Sequence, residues 1–496
     1  MRHDFMNVSL QTLIAASPLM GHELEDRTRI SRGQGPLLSQ EILEQSSTVL
    51  RSGSQRELFC VAPLDILVSE ENGQKKFHLL ELNGTGIGGV TNLPDESVAA
   101  MLDSLAECTA QITQPGGVVM LGVSGKESAS SPRRNRLMHE KLLFLEAMLR
   151  GMRAETGSGV VRNLDQMQAA GPSLSVQPTA VIGYMKDLID AVRLEDGRLY
   201  LHDAQVTGAV NDRFCRNLFA KFDDQVDLRH FHALNRCFAA GSDKGVAYSL
   251  MNDYIAALPH TASARAALPT AVHHEHAHTR EELIEKVCQW LAEGRQTVIK
   301  PHGTGLGHGI EFFFDRRESL DTIVNRIDGS LRQTEEFYNL RGGALPYTLC
   351  EFVDASRVRG QGHPLEGHKY ELRVVVYRDG GELKAAPAIA KIAREKCESA
   401  AAQGTTRRSL INNITASGDT PHVCGTDFML PLCNERTLET LGLTPEDLHQ
   451  LSQISTGYVR HVLDQVEDAP QRFGLPGTAR PVVAGSAAAQ WELVAA

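Results

Sequence analysis

No two of the nine cysteines in this 496-residue chain stand in a Cys-x-x-Cys spacing. They are scattered singly from Cys60 to Cys433. A disulfide framework belongs to small, cysteine-dense secreted domains, so reduced thiols in a cytoplasm are expected. Basic runs are missing too: the net charge is −11 and the pI about 6.0, which argues against a nucleic-acid footprint. No apolar stretch reaches the roughly eighteen residues a membrane span needs. The apolar patch at residues 10–19 is broken by Gln11, Thr12 and Ser17 and preceded by Asp4, so it reads as a folded or frayed segment, not a signal peptide. There is no internal repeat, no Gly-x-Ser-x-Gly elbow and no Gly-Lys-Ser/Thr.

What remains is ordinary soluble composition, 42% hydrophobic and 22% charged, in a chain long enough for two to four packed subdomains. Residues 37–52 read as a helix. Two apolar runs, 64–68 and 77–83, flank Asn72-Gly73 and predict a β-hairpin, followed by the glycine-rich run 84–89. Strands are expected at 117–122, 176–182, 198–202, 205–210, 297–300, 310–314, 345–353, 370–377 and 383–394. Helices are expected at 135–153, 243–257, 279–293 and 445–468. Thr279 with Glu282 signals a capping box and Gly294 a helix end. Alternating strands and helices point to an α/β protein. The run from Pro470 on looks like a tail.

The most informative segment is Val298-Ile299-Lys300-Pro301-His302-Gly303-Thr304-Gly305-Leu306-Gly307-His308-Gly309. A strand delivers a lysine to a loop with glycine at every second position. Glycine lets backbone N–H groups approach an anion, and the lysine adds a point charge for a phosphate. The loop runs on into a strand, unlike a dinucleotide fingerprint, which opens a helix. The histidine run at residues 273–278 reads as a loop before the capped helix; such runs bind zinc or nickel, but no cysteine stands near it.

The Lys-Pro-x-Gly-x-Gly-x-Gly-x-Gly run resembles the phosphate-covering loop of ATP-grasp enzymes. Asp243-Lys244, with its helix and Pro259-x-Thr261, is similar to that family's Asp-Lys segment, in which the lysine contacts ATP phosphate. Residues 347–353 resemble the strand entering the adenine hinge, which implies adenine contacts from Glu351, Phe352 and Val353. Glu371-x-Arg373 resembles the acidic-x-Arg strand motif: Glu371 for ribose, Arg373 for the transferring phosphate. Lys391, Arg394 and Asn412-Asn413 stand where the family places anion-binding groups. The family's magnesium motif, an Asp followed by Glu-x-Asn, should come after the helix at 445–468, and nothing there supplies it. It stands instead near the N-terminus, as Asp65 and Glu81-x-Asn83. A carboxylate or two plus substrate phosphates suits magnesium, and residues two apart on a strand share a face.

The resemblance therefore implies a circularly permuted ATP-grasp fold, two small sheets clasping ATP, preceded by a Rossmann-like α/β domain. The expected division is a segment 1–36; helix and metal hairpin 37–109; pre-ATP-grasp domain 110–240; small subdomain 241–345 with Lys300, Gly303, Gly305 and Gly307; large subdomain 346–469; tail 470–496. The implied activity is a ligase of the cytoplasm, using ATP with Mg2+ or Mn2+. It would turn a small-molecule carboxylate into an acyl-phosphate and join it to an amine, with Arg373 and Arg394 as catalytic residues and neither nucleic acid nor membrane as partner. A grasp-fold kinase and a decayed nucleotide-binding protein are the alternatives, with a dinucleotide oxidoreductase behind them. Substrate identity and oligomeric state are unreadable.

Overall fold

The structure is a computed structural model that describes residues 38, 47–51, 58–88, 90–123, 137–170, 177–210, 212–223, 225–235, 237–241, 244–258, 269–302, 307–338, 344–397, 407–412 and 428–473. Within them the chain is a mixed α/β protein whose strands form three sheets.

The first sheet joins β1 (Ser47–Val49), β2 (Val61–Glu71), β3 (Gln74–Leu82), β15 (His368–Asp379), β16 (Glu382–Lys396) and β17 (Met429–Pro431). Its order is β1-β16-β15-β2-β3, with β17 on β16, and every pairing is antiparallel. The helix expected over residues 37–52 is overturned at its C-terminal end: β-branched Thr48 and Val49 lie extended along β16. The hairpin turn is as expected, with Asn72 and Gly73 both at positive φ (53° and 75°).

Alternation along β15 explains the sheet's two faces. Tyr370, Leu372, Val374 and Val376 pack with Leu64 and Ile66 of β2 into the core shared with the helix Pro445–Asp468. That helix starts on a complete capping box, Thr444 with Asp447. The opposite face changes character along its length. Val375 and Tyr377 lie in an apolar cluster with the helices Asp95–Ile112 and Leu137–Thr156, while Glu371 and Arg373 are charged.

The second sheet holds β4 (Val118–Val123), β5 (Val160–Asn163), β6 (Thr179–Tyr184), β7 (Val192–Glu195), β8 (Arg198–Leu201), β9 (Ala204–Val210) and β10 (His232–Ala233). Its β5-β6-β4-β9-β10 part is parallel; β7 and β8 are an antiparallel addition. A Cβ on Gly122 would fall 2.8 Å from the Phe214 ring, so this glycine serves close packing.

The third sheet, β11 (His274–Ala277), β12 (Thr297–Pro301), β13 (Glu311–Phe313) and β14 (Tyr347–Glu351), runs β11-β14-β12-β13, all antiparallel. One face packs on the helices Arg280–Ala292 and Leu320–Tyr338. The other carries Val298 and Cys350 into a small cluster with Tyr248 of the helix Lys244–Ala257. The histidine run expected as a loop is thus partly a strand, β11, recruited to the edge of β14. Thr279 caps as expected, accepting from the Glu282 N–H at 3.1 Å, but the Glu282 carboxylate takes the His278 N–H in place of that of Thr279.

Candidate active site

Sheet register assembles the site. Arg373 on β15 lies opposite Asp65 on β2, Asp65 opposite Glu81 on β3, and Glu371 opposite Lys391 on β16. Cross-strand neighbours on one face touch, so four strands bring five charged side chains together. One of these placements depends on a bulge. Strict alternation beyond Phe77 and Leu79 would send Glu81 into the core with them. The register instead shifts by one residue between Asp65 and Ile66, with Leu80 as the extra residue, and Glu81 comes round to the face of Asp65.

Asp65 is fully buried and at the centre. Arg373 grips it through Nε and a terminal nitrogen, each 2.8 Å from a carboxylate oxygen. Lys391 Nζ is 2.9 Å from Oδ2, and Asn83 Nδ2 donates to the same oxygen at 2.9 Å. Burial alone would raise the Asp65 pKa; Arg373 and Lys391 overcome it and hold the group well below the usual carboxylate range. The third Arg373 nitrogen donates to the Ile87 carbonyl at 2.7 Å. Glu371 pairs with Lys391. Burial, reinforced by the charges of Asp65 and Glu81 and opposed by Lys391, pushes Glu371 up to about 7. Arg394 lies three residues beyond Lys391 on β16, half-buried.

The helix Lys244–Ala257 packs against β3, the strand at the edge of this sheet. Lys244 Nζ is 2.8 Å from Glu81 Oε2. Burial disfavours its charge, the Glu81 carboxylate outweighs that and raises its pKa, and Lys300 repels it. One turn along the helix, Tyr248 receives the Lys300 ammonium: Nζ donates to its hydroxyl at 2.5 Å and lies 5.1 Å from the ring centroid. A Cβ on Gly245 would stand 2.2 Å from the His276 ring, so glycine there lets the start of the helix press against β11. The hairpin residues 65–83 and the lysine that opens the glycine loop are therefore joined through a single helix, by Lys244 to Glu81 and by Tyr248 to Lys300.

The other expected residues are placed as follows. Glu351 ends β14; its N–H donates to the His273 carbonyl and its carboxylate accepts the His273 N–H. The Phe352 N–H is taken by Gln296. Both hinge amides are thus engaged within the protein. Phe352 meets Phe314 edge-on at 4.8 Å, and Lys369 Nζ lies 4.6 Å from its ring centroid. Val353 follows, half-buried. Gly307 has φ 72° and lies against Ile411. Gly303, Gly305, Asp243, Pro259, Thr261 and Asn413 fall outside the described residues.

Sequence reasoning missed Tyr248, although its i+4 spacing from Lys244 was a usable signal. It also missed Glu140 and Lys141, both buried in the helix Leu137–Thr156. Glu140 accepts the N–H groups of Gly88 (3.1 Å) and Val90 (3.4 Å), and Lys141 reaches the Thr85 carbonyl at 3.4 Å. These contacts tie the glycine-rich run after Asn83 to the second sheet's helix.

Among the described residues, no group of three His, Cys, Asp or Glu is placed to hold a metal ion, the histidine run included. His273 stacks on Trp290, and His274 bonds Ser249 and the Val272 carbonyl. Glu81 and Asn83 offer hard oxygen donors of the kind magnesium takes. Asp65 would join them only by releasing Arg373, Lys391 or Asn83. No helix among the described residues is long and apolar enough to cross a membrane.

No protein family description and no curated protein matches this chain. Among solved structures, a glutathione synthetase-like effector from Globodera pallida, in its apo form, is 12% identical with a TM-score of 0.34, over 67% of this chain and 74% of that one. D-alanyl-alanine synthetase A from Vibrio cholerae O1 biovar eltor is likewise 12% identical with a TM-score of 0.34, over 70% and 80%.

Proposed function

We propose that this chain is a Mg-ATP-dependent ligase of the ATP-grasp type, in permuted order, activating a carboxylate as an acyl-phosphate and joining it to an amine. One observation carries the reading: Glu81 pairs with Lys244, Asp65 with Arg373 and Asn83, and Lys300 stands beside Lys244 on Tyr248, from segments more than a hundred and sixty residues apart. In this reading β2 and β3 supply, from the start of the chain, the hairpin that usually ends the fold.

The residues divide the work by charge. Lys244 and Lys300 would neutralise the triphosphate, and Glu81 and Asn83 would hold the magnesium. The ion supplies charge shielding of the transferring phosphoryl group. Arg373, fixed by Asp65, contributes a positive charge that needs no reorganisation. The substrate carboxylate oxygen attacks the γ-phosphorus, the bond to the β-phosphate oxygen breaks and ADP leaves. The amine nitrogen then displaces phosphate from the acyl carbon. Amino acids and short peptides are the first substrates to try. Pooled amino acids with ATP should give ADP, phosphate and a mass-detected amide. Glu81→Gln should reduce turnover at least ~100-fold with the fold retained. A stable phosphoester formed without amine would make the chain a kinase instead.

A further inference from the structure

The charged cluster contains its own counter-ions. Asp65, Glu81 and Glu371 face Lys244, Arg373 and Lys391: three carboxyl groups against three cations, with Lys300 beside them. A divalent cation arriving alone meets no net negative charge, and the nearer oxygen of Glu81 is taken by Lys244 at 2.8 Å.

The position of Lys244 is informative. It is the first residue of its helix, where the backbone dipole disfavours a cation, and no acidic residue stands in that first turn. The side chain is held by Glu81 on the neighbouring strand. A helix N-terminus with a lysine at its mouth attracts polyanions, and a triphosphate offers Lys244 more negative charge than one carboxylate. Lys300 rests on the neutral Tyr248 hydroxyl.

Resting on the ligase reading above, we propose that Lys244 is a gate. It occupies Glu81 until a nucleotide's phosphates draw it away, so metal and nucleotide enter together and metal alone does not bind. The geometry requires only a side-chain exchange, the Lys244 ammonium moving from carboxylate to phosphate while its backbone stays pinned by Gly245 against His276.

Manganese retained with the full chain in equilibrium dialysis, corrected for the Mn2+ that nucleotide holds in a protein-free control, tests this without any turnover. Wild type should bind Mn2+ with the imido analogue of ATP and leave it free without nucleotide. Lys244→Met, close in shape, should raise affinity for Mn2+ alone by roughly tenfold or more. Lys244→Gln serves as a second variant should the first misfold. Lys75→Met breaks an ion pair to Asp447 near the hairpin's turn and should leave the wild-type pattern unchanged. Equal Mn2+ affinity of wild type with and without nucleotide would overturn the gate and leave the ligase reading standing. Mn2+ ignored even with nucleotide would overturn both.

Discussion

His78 shows what burial does to a single residue beside this site. Its ring is 6% exposed, with Nε2 2.8 Å from Ser69 Oγ and Nδ1 buried without a hydrogen-bond partner. Burial, helped by Lys76, lowers its pKa from 6.5 to about 4. Between those values the unfolded chain takes up a proton that the fold refuses. The His78 contribution is therefore complete above pH 6.5 and declines as pH falls to about 4. Urea unfolding should show the wild type losing ~2–3 kcal/mol relative to His78→Gln across that window. A constant difference between the two proteins would mean that the ring charges freely in the fold. Asp65 behaves oppositely: its depressed pKa keeps its stabilising pairs intact until strongly acid pH.

At the scale of elements, the bulge at Leu80 decides which face Glu81 occupies. Deleting Leu80 leaves Leu79 and Leu82 on the core side and Glu81 opposite Asp65, now in regular pairing. Inserting one alanine after Leu80 turns Glu81 toward the core, where an unpaired carboxylate costs several kcal/mol. Thermal shift with Mg-ATP should therefore survive the deletion and vanish in the insertion; the reverse result would show that the bulge itself shapes the site. Much of this level could be read beforehand. Asn72-Gly73, the Thr279 cap, Gly294 and the apolar run leading to Lys300 carry local signals, and the turn, helix and strand they mark are present. The rest depends on distant partners. Ser47–Val49 is a strand because β16 offers an edge, and His274–Ala277 because β14 does. The buried Glu140-Lys141 pair carries no mark in its own helix; its side chains meet the backbone of Thr85, Gly88 and Val90, far away in sequence.

For the whole molecule, the candidate site lies where the helix Lys244–Ala257 joins the first sheet, through Glu81, to the third, through Lys300. Nucleotide at ~100 times its Kd should stabilise the wild type by ~2.7 kcal/mol. Lys300→Met on one side and Glu81→Gln on the other should each remove most of that gain. The double variant should lose little more than either alone, the non-additivity expected of groups serving one ligand. Strictly additive losses, measured by denaturant unfolding with and without Mg-ATP, would show two independent surfaces.

The pairing of β2 with β15 also bears on how the protein is made. On the side away from β3, Leu67 finds its partner at Glu371. At ~5–20 residues per second, a ribosome delivers that partner ~15–60 s after the hairpin has emerged. Throughout that interval β2 presents an open strand edge to everything else in the cell. Synthesis rate and chaperone supply should thus govern the yield of active protein more strongly than the stability of the finished fold.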